Sequence, residues 1–340
     1  MNDAKNQHPV PVDSTQEQYR EQQIIRWIED DLGYKNYSLK PASADASFRR
    51  YFRLEDNVNG DTKIIMDAPP EKEDSRPFIH LAQAFNDIGL NTPKVYAQNF
   101  EAGFFLLSDL GSIDYLRDIN NQNVNQLYQD AMHALIILQH KNKAVLPTYN
   151  AELLRQEMNL FIDWFLTKHK QVNISKMQQK IFDDLFALLV DSALAQPNVC
   201  VHRDYHSRNL MVTADNNPGV LDFQDAVMGP VTYDLVSLLR DCYVTWPDDK
   251  VACWTEYYFN QASQQGILKN IDYPQFVRWF DLMGLQRHLK AIGIFSRLNY
   301  RDGKSGYLND IPRTLSYVLM VSKKYPELNA FHQVICDTCD

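Results

Sequence analysis

The sequence predicts an α+β protein in two parts: a small β-rich lobe followed by a larger, mainly helical one. Three observations point there. The chain has 340 residues, and at roughly 100–200 residues per domain that length favours two lobes. Short apolar runs broken by turn residues crowd into the first third. Beyond residue 120, apolar residues recur mostly at helical spacing. Composition permits both patterns, with 45% hydrophobic and 23% charged residues, close to ordinary globular usage. Glycine is scarce at 12 residues, roughly half the usual share, which argues against a many-turned all-β design.

Residues 1–15 are polar and Pro-bearing and read as a loose tail. A helix is expected from about Thr15 to Leu32, because Ile24, Ile25, Ile28 and Leu32 fall near helical spacing and Gly33 can end it. Strand-like pieces follow: YSLKPA, FRRYFRLE and TKIIMDA, the last two joined by a turn around Gly60. Residues 76–88 look helical up to Gly89, and VYAQNFEAGFFLLSDLG reads as a second hairpin. The first lobe thus covers 16–108 and the second 109–340. In the second, 123–141, 151–170 and 175–195 read as amphipathic helices, 198–225 as strands and loops, and Asp234 onward as helices. Asp234 itself is placed as a helix N-cap.

Charge and cysteine usage narrow the function classes. A net charge of −9 suits a nucleic-acid backbone poorly. No apolar run reaches the ~20 residues that span a bilayer, and the first residues show no apolar signal core. A cytoplasmic monomer without nucleic-acid or membrane partners is the expectation. The five cysteines are odd in number and irregular in spacing for a secreted disulfide framework. The terminal pair Cys336 and Cys339 reads as structural or incidental.

The stretch VHRDYHSRNLMVTADNNPGVLDFQDAVMGP carries the chemistry. Asp204 closes a His202-Arg203-Asp204 triplet, Asn209 follows five residues later, and Asp222 thirteen after that. Apolar Leu210-Met211-Val212 and Val220-Leu221 make the segment a loop, a strand, a turn and a second strand. Phosphoryl transfer needs a carboxylate to accept the attacking hydroxyl's proton. It also needs hard oxygen ligands for Mg²⁺, which takes one or two protein carboxylates alongside substrate phosphates. An H-R-D-x-x-x-x-N loop followed by an Asp-Phe pair supplies that set. Asp204 is the candidate base, and Asn209 and Asp222 are the candidate metal ligands. As solvated turn acids, Asp204 and Asp222 would have no reason to sit at the mouths of strong apolar strands. Zinc is a poorer reading, since Arg203 stands where H-E-x-x-H requires Glu. Gly303-Lys304-Ser305 is no phosphate loop, because Leu298 holds the earlier glycine's place.

The candidate phosphate-covering loop runs from Ser43 to Arg53, with Ser47 and Phe48 at its centre. It lacks G-x-G-x-x-G, but its small residues let backbone approach phosphate, and Ser47 adds a hydroxyl. Strand alternation puts Arg49, Tyr51 and Arg53 on one face and Arg50 and Phe52 on the other. A plain solvent-facing charged strand would show the same pattern.

DASFRRYFR, MDAPPEKED and HRDYHSRNL with LDFQDAVMGPVTYDLVSLLRDCY resemble the aminoglycoside phosphotransferase and choline-kinase group of protein-kinase-like enzymes. Within it they are most similar to the anomeric kinases of N-acetylmuramate and N-acetylglucosamine in cell-wall recycling. The resemblance implies a protein-kinase-like bilobal fold, ATP, Mg²⁺ and transfer of the γ-phosphate to a sugar C1 hydroxyl. It also implies that adenine docks on the linker at Ser108, Asp109 and Leu110. One departure stands out: the usual third-strand cation that clamps the phosphates is replaced by Met66 or Asp67. Arg49 or Arg53 from the neighbouring strand, or Lys63 from one pleat away, is left to fill that role.

N-acetylmuramate carries a lactyl carboxylate, which an arginine fork would suit. Arg287, Lys290, Arg297 and Arg301 share a roughly 80° helical sector, although a solvated basic face is the commoner meaning of such a run, and Gly293 could interrupt the helix. Arg287, Arg297, Arg240, Asp241 and Asp225 are the acceptor-site candidates. Trp246 and Trp279 either stack on a sugar or fill core. The alternatives are a kinase of a cationic alcohol such as an aminoglycoside or choline, and a pseudokinase whose only support is the missing clamp.

Overall fold

The computed structural model describes residues 14–44 and 49–339. The chain divides into two compact units, one comprising Met1–Ile79 with Pro93–Asp109 and the other His80–Thr92 with Leu110–Asp340.

The first unit is a five-stranded antiparallel sheet. Its strands are β1 (Tyr37–Ala44), β2 (Arg50–Asp56), β3 (Thr62–Asp67), β4 (Val95–Asn99) and β5 (Phe104–Ser108), in the order β1-β2-β3-β5-β4. Helix α1 (Ser14–Arg26) runs directly into a π-helical stretch, Trp27–Asp31. Alternation along β2, β3 and β5 turns Phe52, Leu54, Ile65, Phe104 and Leu106 to one face. There they form a core with Ile24, Trp27 and Ile28. Asp67, the residue in the clamp position, is fully buried and held by two arginines: Arg20 through Nε at 2.9 Å and Arg50 through Nε at 2.9 Å and Nη2 at 2.6 Å. Its charge is thereby matched inside the unit, as a buried carboxylate requires. Gly103 closes the β4–β5 turn at φ +74°, and a Cβ there would lie 2.1 Å from the Ala68 carbonyl oxygen.

Helix α2 (Arg76–Asp87) crosses the division between the units. The sequence reading gave all of 80–92 to the first lobe. In the structure this segment belongs to the second unit: Phe85 packs edge-on against Phe223, and the Asn91 carbonyl accepts from Val220 at 2.8 Å. Apolar period alone does not say which partner such a helix chooses.

The rest of the second unit is helical around two short ribbons. It comprises α3 (Tyr115–Asp118), α4 (Val124–Lys141), α5 (Ala151–Leu160) prolonged as a π-helix over Phe161–His169, and α6 (Lys176–Leu194). The ribbons follow: β6 (Asn198–Val201), β7 (Leu210–Met211), β8 (Gly219–Val220) and β9 (Val227–Pro230). Then come α7 (Tyr233–Leu239), α8 (Asp248–Gln264), α9 (Tyr273–Asp302), a 3₁₀ turn at Ser305–Asp310, α10 (Ile311–Lys324) and α11 (Asn329–Cys339). Ser175 and Gln178 form a capping box on α6, and the Asp272 side chain accepts from Gln275 N at the head of α9. Caps of this kind stabilise a helix by about 1 kcal/mol each. No helix among the described residues is long and apolar enough to cross a membrane.

Gly293 does not interrupt α9, which runs 30 residues without a break. Its role is close approach: a Cβ would sit 2.4 Å from the Leu160 carbonyl carbon and 2.6 Å from Phe161 N. Both obstacles are backbone, so no rotamer change can relieve them. Gly293→Ala is therefore expected to destabilise the protein by about 1–3 kcal/mol. Thermal melting checks this, and an unchanged midpoint would mean α9 and α5 separate at no cost.

Candidate active site

Two antiparallel ribbons deliver the candidate residues. β6 pairs with β9 through Val201↔Val227, and β7 pairs with β8 through Leu210↔Val220. The sequence reading anticipated the hairpin around the 217–219 turn but not β9, whose Val-Met-Gly-Pro run carries no strand alternation. The hairpin ladder extends one step further, with Leu221 N donating to the Asn209 carbonyl at 2.9 Å. That pairing brings Asn209 beside Asp222 although they are thirteen residues apart in the chain.

Asn209 Nδ2 donates to the Asp204 carbonyl at 3.0 Å and to Asp222 Oδ2 at 3.3 Å. Gln224 Nε2 donates to Asp222 Oδ1 at 2.7 Å. The His202 ring ties the two strands together: its Nε2–H donates to the Leu221 carbonyl at 2.8 Å, and its Nδ1 accepts from Asp204 N at 3.3 Å. Burial holds this imidazole below its ordinary pKa, consistent with a neutral ring that donates on one nitrogen and accepts on the other. Asp204, Asn209 and Asp222 are thus gathered at one place in the second unit.

Two buried carboxylates hold the loop's backbone: Asp234, expected only as a cap, and Asp241, expected among the acceptor-site candidates. Asp234 accepts from His202 N at 2.6 Å and Arg203 N at 3.0 Å. It is not an N-cap, since α7 begins after Thr232. Burial pushes its carboxyl up to about 6, against the pull of His202 and the two backbone N–H groups. Asp241 accepts from Ser207 N at 2.9 Å and Ser207 Oγ at 2.5 Å on one oxygen, and from Tyr243 N at 2.9 Å on the other. Arg203 and Asp222 adopt left-handed φ of 77° and 62°, a conformation that is costly for residues with a Cβ. Asp234 below and Asn209 and Gln224 around them offset that cost.

A third acid, Glu157 on α5, lies beneath the loop. It pairs with Arg203 Nη2 at 2.5 Å and Lys290 Nζ at 3.0 Å, and accepts from the Tyr149 hydroxyl. Lys290 also donates to the Tyr233 hydroxyl at 2.9 Å. Burial pushes the Asp204 carboxyl up, but nearby Lys290, His206, Arg287 and His202 outweigh it and hold it below the usual range. Asp204 is therefore ionised at neutral pH.

The basic sector of α9 splits along its length. Arg287 and Lys290 are buried, at 5% and 9% exposure, and their charges reach Asp204. Arg301 is exposed and pairs with Asp302. Arg297 lies beside Arg301, burial lowers its pKa, and it is not among the charges that hold Asp204 low. Arg240 goes elsewhere too: its guanidinium pairs with Asp248 at 3.1 Å, lies near the Phe280 and Tyr317 rings and lines a cavity of about 520 Å³ among α8, α9 and α10. Asp225 is exposed. Trp246 is half-buried, donates to the Tyr128 hydroxyl at 3.0 Å and packs edge-on with Tyr128 and Trp254, whereas Trp279 is buried and fills core.

Within the first unit, the candidate clamps separate. Ser47 and Phe48 lie outside the described residues. Arg49 is buried, paired with Glu73 and set 5.1 Å from the Phe78 ring centroid. Arg53 makes a fork to Asp109, Nε to Oδ2 at 2.5 Å and Nη2 to Oδ1 at 3.0 Å. That fork joins two of the nominated residues at the end of β5. Lys63 needs correction as a substitute for Arg53. The register sets Arg53 opposite Ile64 and Leu54 opposite Lys63. Lys63 is therefore on the Leu54 face, on the side of the α1 core, and its Nζ lies 5.1 Å from the Tyr96 ring centroid. One pleat is a change of face, not a small offset. Ser108 accepts from Lys94 N through Oγ at 2.9 Å, and the division between the units falls between Asp109 and Leu110.

A protein of Pseudomonas putida named N-acetylmuramate/N-acetylglucosamine kinase is 44% identical over 94% of this chain and 96% of its own length. One of the same name from Pseudomonas aeruginosa is 47% identical over 85% of each chain. Among solved structures, a choline kinase of Streptococcus pneumoniae superposes with a TM-score of 0.60 at 12% identity, covering 88% of this chain and 98% of that one. An ADP-bound aminoglycoside phosphotransferase gives 0.57 at 15%, covering 90% and 98%. The small β-rich lobe and larger helical lobe are those of a kinase-like fold. Matched over residues 38–268, the chain belongs to the phosphotransferase enzyme family.

Proposed function

We propose that this enzyme transfers the γ-phosphate of ATP to the anomeric C1 hydroxyl of N-acetylmuramate and N-acetylglucosamine, a step of peptidoglycan recycling. The support is the gathering of Asp204, Asn209 and Asp222 on one loop and hairpin, together with relatives named for these two sugars that match nearly the whole chain. Asp204 accepts the proton of the C1 hydroxyl as its oxygen attacks the γ-phosphorus and the bond to the β–γ bridging oxygen breaks. No covalent enzyme intermediate is needed. The low-lying Asp204 carboxylate is ready for this at neutral pH, and Asp234 and Asp241 fix the backbone that aims it.

The donor chemistry suits Mg²⁺. Asn209 spends its amide nitrogen on Asp204 and Asp222, which leaves its carbonyl oxygen for a cation. With the Asp222 carboxylate, that makes two hard oxygen donors. Mg²⁺ needs only one or two protein donors when phosphates and water supply the rest. Mg²⁺ held there would neutralise charge on the transferring phosphate.

The test is product identity. With Mg-ATP and, separately, N-acetylmuramate, N-acetylglucosamine, kanamycin and choline, ³¹P NMR is expected to show a phosphorus coupled to an anomeric proton for the first two only. Product from kanamycin or choline alone would discard the sugar reading.

A further inference from the structure

Arg208 stands out among the cations near the candidate base. It is one residue before Asn209 and exposed. It makes no ion pair or hydrogen bond with any described residue. Its guanidinium instead lies 3.7 Å from the ring centroid of Tyr243 and 5.8 Å from that of Tyr307. Phe295 backs both rings, at 6.3 Å from Tyr243 and 5.7 Å from Tyr307. The His206 ring meets Tyr243 edge-on at 5.3 Å.

This platform is built in. One Asp241 carboxylate holds Ser207, the residue before Arg208, and also Tyr243, on which Arg208 stacks. Loop and ring are thus fixed by the same buried group. A guanidinium stacked through its face keeps its N–H edges for a planar anion. The other cations nearby are committed. Arg203 and Lys290 pair with Glu157, and Arg287 is buried with an N–H on Cys242 Sγ at 3.7 Å.

We propose that Arg208 is the specificity residue that receives the lactyl carboxylate of N-acetylmuramate, with Tyr243 as its platform. This rests on the sugar-kinase reading above. N-acetylglucosamine lacks the lactyl group, so it gains nothing from Arg208. The two sugars therefore form a built-in control.

The experiment is steady-state kinetics on both sugars for wild type, Arg208→Gln and Arg208→Lys. A charge-assisted pair of this kind predicts that KM for N-acetylmuramate rises about 10- to 100-fold in Arg208→Gln. N-acetylglucosamine kinetics and the KM for ATP stay unchanged. Arg208→Lys recovers part of the loss. Tyr243→Leu, which leaves Arg208 without its platform, also narrows the preference for N-acetylmuramate. Equal loss on both sugars would overturn the proposal and place Arg208 on the transferred phosphate. No change on either would show that the carboxylate is held elsewhere. Failure of the sugar-kinase reading looks different: wild type itself would phosphorylate neither sugar.

Discussion

Asp204→Asn is expected to lower kcat on both sugars by about 10²–10⁴-fold, the range of a general base lost from its place. KM for ATP should hardly move, because nucleotide binding does not use this carboxylate. The fold should survive as well. The hydrogen bonds to residue 204 are on its backbone: Asn209 Nδ2 and His206 N donate to the carbonyl at 3.0 and 3.1 Å, and the amide donates to His202 Nδ1 at 3.3 Å. Substitution leaves all three in place. The measurement is ADP release under saturating sugar, paired with a melting curve to show that the variant is folded. A variant turning over at the wild-type rate would remove Asp204 from the mechanism and send the search to another acid. Because nearby Lys290 and Arg287 hold this carboxyl low, the acidic limb of wild-type kcat/KM is expected well below neutrality. A limb near pH 6 would instead implicate Asp234, which burial pushes up to about 6.

How far the sequence reveals such a site depends on the range of the interactions that build it. Asp204, Asn209 and Asp222 were legible because a hairpin of apolar strands and a turn places them, and both are local patterns. The five strands of the first unit were legible for the same reason. Glu157, the grip of Asp241 on Ser207 and the true role of Asp234 were not. Glu157 is 46 residues from its partner Arg203, and Asp241 is 34 from Ser207, with no periodicity linking them. Asp234 does stand where a cap is expected, yet its oxygens turn to the loop instead. The Lys63 error has a different cause. Its position along the strand was right, but facing is set by pairing register, which one strand's sequence does not contain. Arg287 and Lys290 show the reverse case: helical spacing grouped them correctly with Arg297 and Arg301, but only tertiary packing decides which half of the stripe is buried.

Glu157 is where stability and catalysis meet. Glu157→Gln is expected to cost about 3–5 kcal/mol, the range for breaking a buried ion pair from one side, and to lower the melting midpoint by roughly 4–7 °C. The reason is what remains. Arg203 and Lys290 keep their charges in a buried place with their shared carboxylate gone. The amide can still accept from Tyr149 but cannot balance two cations. Burial pushes the Glu157 carboxyl up, yet Lys290, Arg203 and the Tyr149 hydroxyl outweigh it and hold it below its ordinary value. The folded pKa is then lower than the unfolded one. Its contribution is present above about pH 4.3 and is lost as pH falls through the lower folded value. Stability against pH should therefore fall less steeply in acid for Glu157→Gln than for wild type. A double-mutant cycle with Lys290→Met isolates the pair: the double variant should be more stable than the sum of the single losses predicts. Strict additivity would mean that Glu157 and Lys290 do not stabilise one another. Arg203 immediately precedes Asp204, so the same substitution also loosens the residue that fixes the base. The kcat loss should accordingly track the loss of stability across Glu157→Gln, Lys290→Met and their double.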